Sequence, residues 1–176
     1  ALKERFGDVL ESGRFIFGPE VEAFESESAA YLDVPHAIGV ANGTDALYLA
    51  MAALGVKPGD EVITTAHSWI STSAMITHAG ATVVFCDTDG ATFTIDPGRI
   101  EAAITPRTKA LVAVDIFGYP ADMAAFEQIA ARHSLAIVED ACEALGGALK
   151  RLEVLTEARG WERPSDHVPV TATLEV

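Results

Sequence analysis

Basic residues are scarce. The 176-residue chain holds 12 lysines and arginines against 26 aspartates and glutamates, a formal net charge of −14. Holding a phosphate backbone or an anionic lipid surface by bulk electrostatics needs a basic face, so neither nucleic acid nor membrane is expected as a partner. The acids are scattered rather than blocked, the pattern of a solvated surface. Long apolar runs are missing too: none approaches the roughly 20 residues that span a bilayer. No signal-peptide pattern opens the sequence. It begins at Ala1 and reads as helix within its first ten residues, so the expectation is an internal piece of a longer, cytoplasmic protein. Cysteine is nearly absent. Cys86 and Cys142 both sit in apolar surroundings and are expected as free core thiols, with a disulfide left open. No Cys/His cluster has zinc spacing, so no metal site is expected.

What is present suits one domain with a substantial core. Helical and strand patterns alternate through residue 149. Val21, Phe24, Tyr31 and Leu32 share a helical face that breaks at Asp33-Val34-Pro35. Ala37–Ala41 is a short apolar run and a buried-strand candidate. Asn42-Gly43-Thr44-Asp45 opens a helix carrying Leu47, Ala50, Met51 and Leu54. Lys57-Pro58-Gly59-Asp60 is a turn, after which Glu61–Thr64 starts a strand. Ser71–His78 reads as helix, ended by Gly80. Thr82–Cys86 is a strand. Asp96-Pro97 has the cap and first-turn pattern of a helix holding Ile100 and Ile104. Ala110–Val114 is a strand, Pro120 opens a helix with Met123, Phe126, Ile129 and Ala130, and Leu135–Val138 is the last strand. Five β-rich runs separated by helices imply an α/β fold, a mainly parallel sheet with helices on both faces. After Lys150 the rhythm stops. A boundary is expected there, with 1–150 as one domain and 151–176 as an unrelated tail.

In α/β sheets ligands sit at the carboxyl ends of strands, and three segments deliver suitable groups. In Asn42-Gly43-Thr44-Asp45, Gly43 allows close backbone approach and the first amides of the helix, with the Thr44 hydroxyl, suit a phosphate; the same four residues are equally a turn and a helix cap. Trp69, in His67-Ser68-Trp69, can stack on a flat heterocycle or simply pack in the core. Glu139-Asp140 places two carboxylates directly after a buried strand. A carboxylate facing a pyridine nitrogen keeps that nitrogen protonated and makes the ring a better electron sink; a helix cap is the alternative reading. Phosphate cradle, stacking aromatic and pyridinium carboxylate together describe one cofactor, pyridoxal 5'-phosphate (PLP).

The stretches FGPEVEAFE, VANGTDALYLA, GDEVITTAHSW, AITPRTKALVAVDIFGYPADM and IVEDACEALGG, collinear over residues 10–149, resemble the DegT/DnrJ/StrS-type aminotransferases, PLP enzymes that aminate nucleotide-linked keto sugars. The resemblance implies a partial fold-type-I large domain, a nucleotide-sugar substrate, an amino-acid donor such as glutamate, and a homodimer in the full-length family with the site between subunits. It implies that Gly43, Thr44 and Asp45 form the phosphate-side loop and that Trp69 stacks on the ring. Asp140 would face the pyridine nitrogen and act as the catalytic carboxylate. Glu143 would lie near the ring hydroxyl, where the family often has Gln or His. Asp115 stands where many members have His, so no role is carried over to it.

The family's Schiff-base lysine follows the Glu-Asp motif inside a Ser-Phe…Lys segment. Lys3, Lys57, Lys109 and Lys150 are the lysines of this sequence, and none lies in such a segment. The expectation is an incomplete chain, inactive by itself; the alternative is a non-catalytic PLP-fold scaffold lacking that lysine. Glu162–Val170 is similar to the closing motif of exonuclease III-like endonucleases, with Ser165, Asp166 and His167 in its Ser-Asp-His. Without that family's metal ligands, hydrolysis is not expected. A fusion or a misassembled sequence would account for this junction.

Overall fold

A computed structural model describes residues 2–144. The expected boundary near residue 150, Lys150 itself and the 151–176 tail with its Ser-Asp-His lie outside the described residues. The chain divides into two compact units, residues 1–40 and residues from Ala41 onward.

The first unit holds α1 (Leu2–Ser12) and α2 (Pro19–Leu32). Pro19 fits the first turn of α2 because no amide hydrogen is needed there. Asp33 ends the helix in the left-handed region (φ 56°), with its own amide and that of Val34 on the Ala29 carbonyl. The Gly39 amide donates to Glu25 Oε1 at 2.7 Å, which lays residues 36–40 back along α2. Ala37–Ala41, expected as a strand, is not one: the run has no ladder partner among the described residues, and Ile38 is exposed. An apolar run supplies the burial a strand needs but not the neighbour that makes it one.

The second unit is a sheet of β1 (Glu61–Thr65), β2 (Thr82–Cys86), β3 (Thr108–Val114) and β4 (Ala136–Asp140), in the order β2-β1-β3-β4 with every pairing parallel. Its helices are α3 (Gly43–Ala53), α4 (Ile70–His78), α5 (Pro97–Ala103) and α6 (Met123–His133). Strand periodicity of two splits the apolar residues between two layers. Val62, Ala110, Val112, Val114 and Val138 pack with Leu47, Met51 and Ile76 of α3 and α4. Ile63, Leu111 and Ala113 pack with Ile100, Phe126 and Ile129 of α5 and α6. Burial on both faces explains why β3 reads as an unbroken apolar run from Ala110 to Val114, whereas the edge strand β2 leaves Phe85 exposed.

Local chemistry sets the helix limits. Asp96 caps α5 through the Gly98 amide at 2.9 Å, and the helix stops at Ala103, leaving Ile104 as its C-cap. Asp122, not Pro120, opens α6: its carboxylate accepts from the Ala125 amide at 3.1 Å. Gly80 follows α4 with φ 89°, and a Cβ there would lie 2.7 Å from Pro58 Cγ, so both backbone and space demand glycine. No helix among the described residues is long and apolar enough to cross a membrane. Phe126 is fully buried between α6 and the sheet. Phe126→Ala is expected to lower the stability of the full chain by about 3–5 kcal/mol, read from the urea midpoint at unchanged slope.

Candidate functional site

The chain runs from β1 to its neighbour β2 on one side, then returns to β3 on the other. The carboxyl ends of β1 and β3 therefore flank a topological switch point, the place where open α/β sheets bind ligands. The expected site segments Trp69 and Asp140 lie at this edge, as do Asp115 and Glu143 in the loops that leave it.

Glu139 and Asp140 are the last two residues of β4 rather than residues beyond it. They pair with Ala113 and Val114 and so point to opposite faces. Asp140 points to the α4 side, is 5% exposed, and its Oδ2 accepts from Thr72 Oγ1 at 2.7 Å. Because the Thr72 hydroxyl hydrogen is used on Asp140, the 2.8 Å contact between Ser68 and Thr72 runs from Ser68 as donor. This two-hydroxyl relay fixes the carboxylate in a buried position. Sequence reasoning did not single out Ser68, Ser71 or Thr72. A usable pattern was present: Ser71 and Thr72 lie in the first turn of α4, and Ser68 just precedes its N-cap.

The first turns of α3 and α4 meet through the hydroxyls of Thr44 and Ser71, 2.9 Å apart. The amides of Gly43 and Thr44 have no hydrogen bond among the described residues, as the first two positions of a helix allow. Asp45 is engaged differently. Its amide donates to Asn42 Oδ1 and its carboxylate Oδ2 accepts from Asn42 Nδ2, both at 2.9 Å, a reciprocal cap. Trp69 occupies the N-cap position of α4 and is 76% exposed, its indole standing in solvent at the edge of the site.

Glu143 ties two loops together. Its Oε2 accepts from the Phe117 amide at 2.5 Å, and its carbonyl would lie 3.0 Å from a Cβ on Gly118, which has φ 76°. Asp115, the residue after β3, is 1% exposed. Its Oδ1 accepts from the Ala121 amide at 2.9 Å, and Oδ2 has no donor among the described residues. Burial pushes this carboxyl up to about 7; the neighbouring charges of Glu139 and Asp140 push the same way, against the Ala121 amide. Once protonated, Asp115 can donate to Glu139. Both cysteines are free. Burial, then the charges of Asp140 and Glu143, push the Cys142 thiol up to about 12, and burial raises Cys86 too. Neither environment favours the thiolate. Among the described residues no group of three or more His, Cys, Asp or Glu is placed to hold a metal.

Two outcomes follow. Thr72→Val removes the donor from a buried carboxylate and is expected to destabilise the full chain by about 1–3 kcal/mol, whereas Thr72→Ser restores most of that in the same urea titration. Asp115 keeps its proton in the folded chain up to about pH 7 but loses it near pH 4 when unfolded. Across that window the folded state binds more protons, so this group makes stability fall as pH rises. Urea midpoints at pH 5 and pH 8 are expected to differ less in Asp115→Asn than in the parent, with the variant the more stable of the two at pH 8.

The model of the DegT/DnrJ/EryC1/StrS aminotransferase family matches residues 1–155. The chain is 50% identical over 138 residues to the dTDP-3-amino-3,4,6-trideoxy-alpha-D-glucose transaminase of Streptomyces venezuelae, covering 78% of this chain and 36% of that protein. It is 49% identical over 139 residues to a pleiotropic regulatory protein of Geobacillus stearothermophilus, covering 79% of this chain and 37% of the relative. The chain thus spans little more than a third of the length of these relatives. The crystal structure of NtdA from Bacillus subtilis with bound cofactor PMP superposes with a TM-score of 0.78 at 41% identity, over 80% of this chain and 32% of that one. The described sheet and its helices are accordingly part of a PLP fold-type-I large domain, and the chain belongs to the DegT/DnrJ/EryC1/StrS aminotransferase family.

Proposed function

We propose that this chain supplies the cofactor-facing part of a PLP-dependent aminotransferase that aminates a nucleotide-linked keto sugar with nitrogen from an amino-acid donor. The observation that carries the reading is Asp140: a carboxylate 5% exposed, held by the Thr72 hydroxyl, at the switch point of the sheet. The dTDP-sugar transaminase and the PMP-bound structure among the relatives support the substrate class and the cofactor.

The donor set fits the group. Open amides at Gly43 and Thr44, with the hydroxyls of Thr44 and Ser71, lie at two adjoining helix N-termini and would hold the phosphate. Asp45 would serve this loop by fixing Asn42 and the cap. Trp69 would cover one ring face, and Glu143 would lie near the ring hydroxyl. When bound, PLP supplies an electron sink for moving the amino group. Asp140 would keep a proton on the pyridine nitrogen, and Thr72 would hold that carboxylate in line.

On this reading the linking lysine would lie outside residues 2–144. Lys57 precedes β1, and Lys109 is the second residue of β3, so both lie at the amino edge of the sheet. The strand from Lys109 to Val114 separates that edge from the site by roughly 16 Å. We further propose a homodimer. Apolar Phe6, Leu10, Phe15 and Ile16 are exposed on the first unit, in keeping with burial against a second subunit.

Titrating the full chain with PLP, followed by cofactor absorbance, is expected to give saturable binding. Asp140→Ala should bind about tenfold more weakly or worse, the loss of one charged hydrogen bond. Borohydride reduction and peptide mapping should give no specific adduct at Lys57 or Lys109. Equal PLP affinity in Asp140→Ala, or a specific adduct at either lysine, would overturn the assignment.

A further inference from the structure

One buried carboxyl has no part in the proposed cofactor site. Asp115 follows β3, is 1% exposed, and its Oδ2 has no donor among the described residues. Its backbone still belongs to the sheet, because its amide donates to the Asp140 carbonyl at 3.1 Å. Side chains alternate along a strand, so Asp115 falls on the face of Leu111 and Ala113, the α5–α6 side. Glu139, paired with Ala113, falls on the same face. The two carboxyls meet there. With Oδ1 taken up by the Ala121 amide at 2.9 Å, a proton on Oδ2 can be donated to Glu139.

One side chain thus ties the end of β4 to both ends of the turn 116–121. The turn has little burial of its own. Phe117 and Tyr119 are exposed, and Phe117 stands at φ 55°, a conformation that a bulky residue keeps only under constraint. Besides Asp115, the side chain that holds the turn by hydrogen bonding among the described residues is Glu143, on the Phe117 amide.

The groups around the latch offer Asp115 no cation to settle on. The charges that act on it are those of Glu139 and Asp140, both from β4. Cys142 and Glu143 follow that strand, and α6 opens on Asp122, whose carboxylate is on the Ala125 amide. The turn itself carries Tyr119, and His67, after β1, meets Phe117 with ring centroids 5.6 Å apart. No ion pair among the described residues includes Asp115. Loss of its proton to solvent leaves two carboxylates facing each other with Oδ2 undonated, and an ionised group needs more hydrogen bonds than the Ala121 amide alone supplies. The exposed turn is the short way to water.

We propose that Asp115 is a proton-operated latch on the turn 116–121: with its proton it bridges Glu139 and the Ala121 amide and holds the turn closed, and without it the turn opens to hydrate the carboxylate. The latch requires neither cofactor nor substrate. An open turn returns Asp115 to its ordinary range near pH 4, against about 7 in the closed state, so opening grows as pH rises between those values and levels off above them.

The test is amide hydrogen exchange by NMR on the full chain from pH 5 to pH 8, each rate taken relative to the intrinsic rate at that pH. Protection at Ala121 is expected to be lower than in β3 and insensitive to urea below the unfolding transition. It should fall by up to about tenfold per pH unit, the limit for one proton, until about pH 7. Asp115→Asn keeps both contacts, its carbonyl accepting from Ala121 and its NH2 donating to Glu139, so the profile should become level. Glu139→Gln should make it shallower, because the new amide can donate to a charged Asp115. A level profile in the parent chain overturns the latch, and so does an unchanged slope in either variant, which would pass the pH dependence to another group such as His67. Ala121 protection equal to that of β3, and falling with urea in step with it, would also overturn it, since the turn would then open only in global unfolding.

Discussion

The parallel register of β4 on β3, Asp140 beside Val114 and Glu139 beside Ala113, is the constraint on which the site depends. Side chains alternate along a strand, so one residue of slippage would exchange the two carboxylates between faces. In the observed register Asp140 meets Thr72 of α4, and Glu139 shares the other face with Asp115. One face thereby holds a hydrogen-bonded carboxylate. The other holds Asp115, whose burial, helped by the neighbouring charges of Glu139 and Asp140, keeps it protonated towards neutrality.

Around that register the site is assembled from groups of opposite electrostatic character. The first turns of α3 and α4, joined through Thr44 and Ser71, offer amide hydrogens to an anion. Asp115, Glu139, Asp140 and Glu143 lie on the strands and loops of the β3–β4 side. An anionic group and a protonated ring nitrogen would be sorted between these regions without a metal ion or a cluster of lysines. The chain's overall acidity is therefore no obstacle to the proposed phosphate site, because the open amides of Gly43 and Thr44 would do the holding.

Much of the fold was legible in local sequence. The Thr82–Cys86 strand and the caps at Asn42 and Asp96 are set within a few residues and stand as their chemistry predicts. Ala37–Ala41 was misread because its apolar content resembles that of β3, yet pairing depends on a neighbour that no local pattern supplies. The opening of α6 was misplaced because Pro120 is a good first-turn residue, but the Asp122 side chain is the one that reaches a helix amide. The hydroxyls of Ser68, Ser71 and Thr72 passed unnoticed because their value comes from Asp140 and Thr44, residues far away in sequence.

The sequence alone determined the α/β alternation, the turns and caps, and which segments bear donors, acids and aromatics, because periodicity and capping act over a few residues. Only the tertiary structure decided which carboxylate each hydroxyl clamps. It also decided that Asp45 is turned onto Asn42, that Asp115 is buried with no donor on Oδ2 among the described residues, and that the His67 ring meets two phenylalanines in left-handed conformation. Those outcomes depend on strand order and on which face each side chain occupies. Both are fixed by burying two apolar layers at once, a condition that no short stretch of the chain can satisfy by itself.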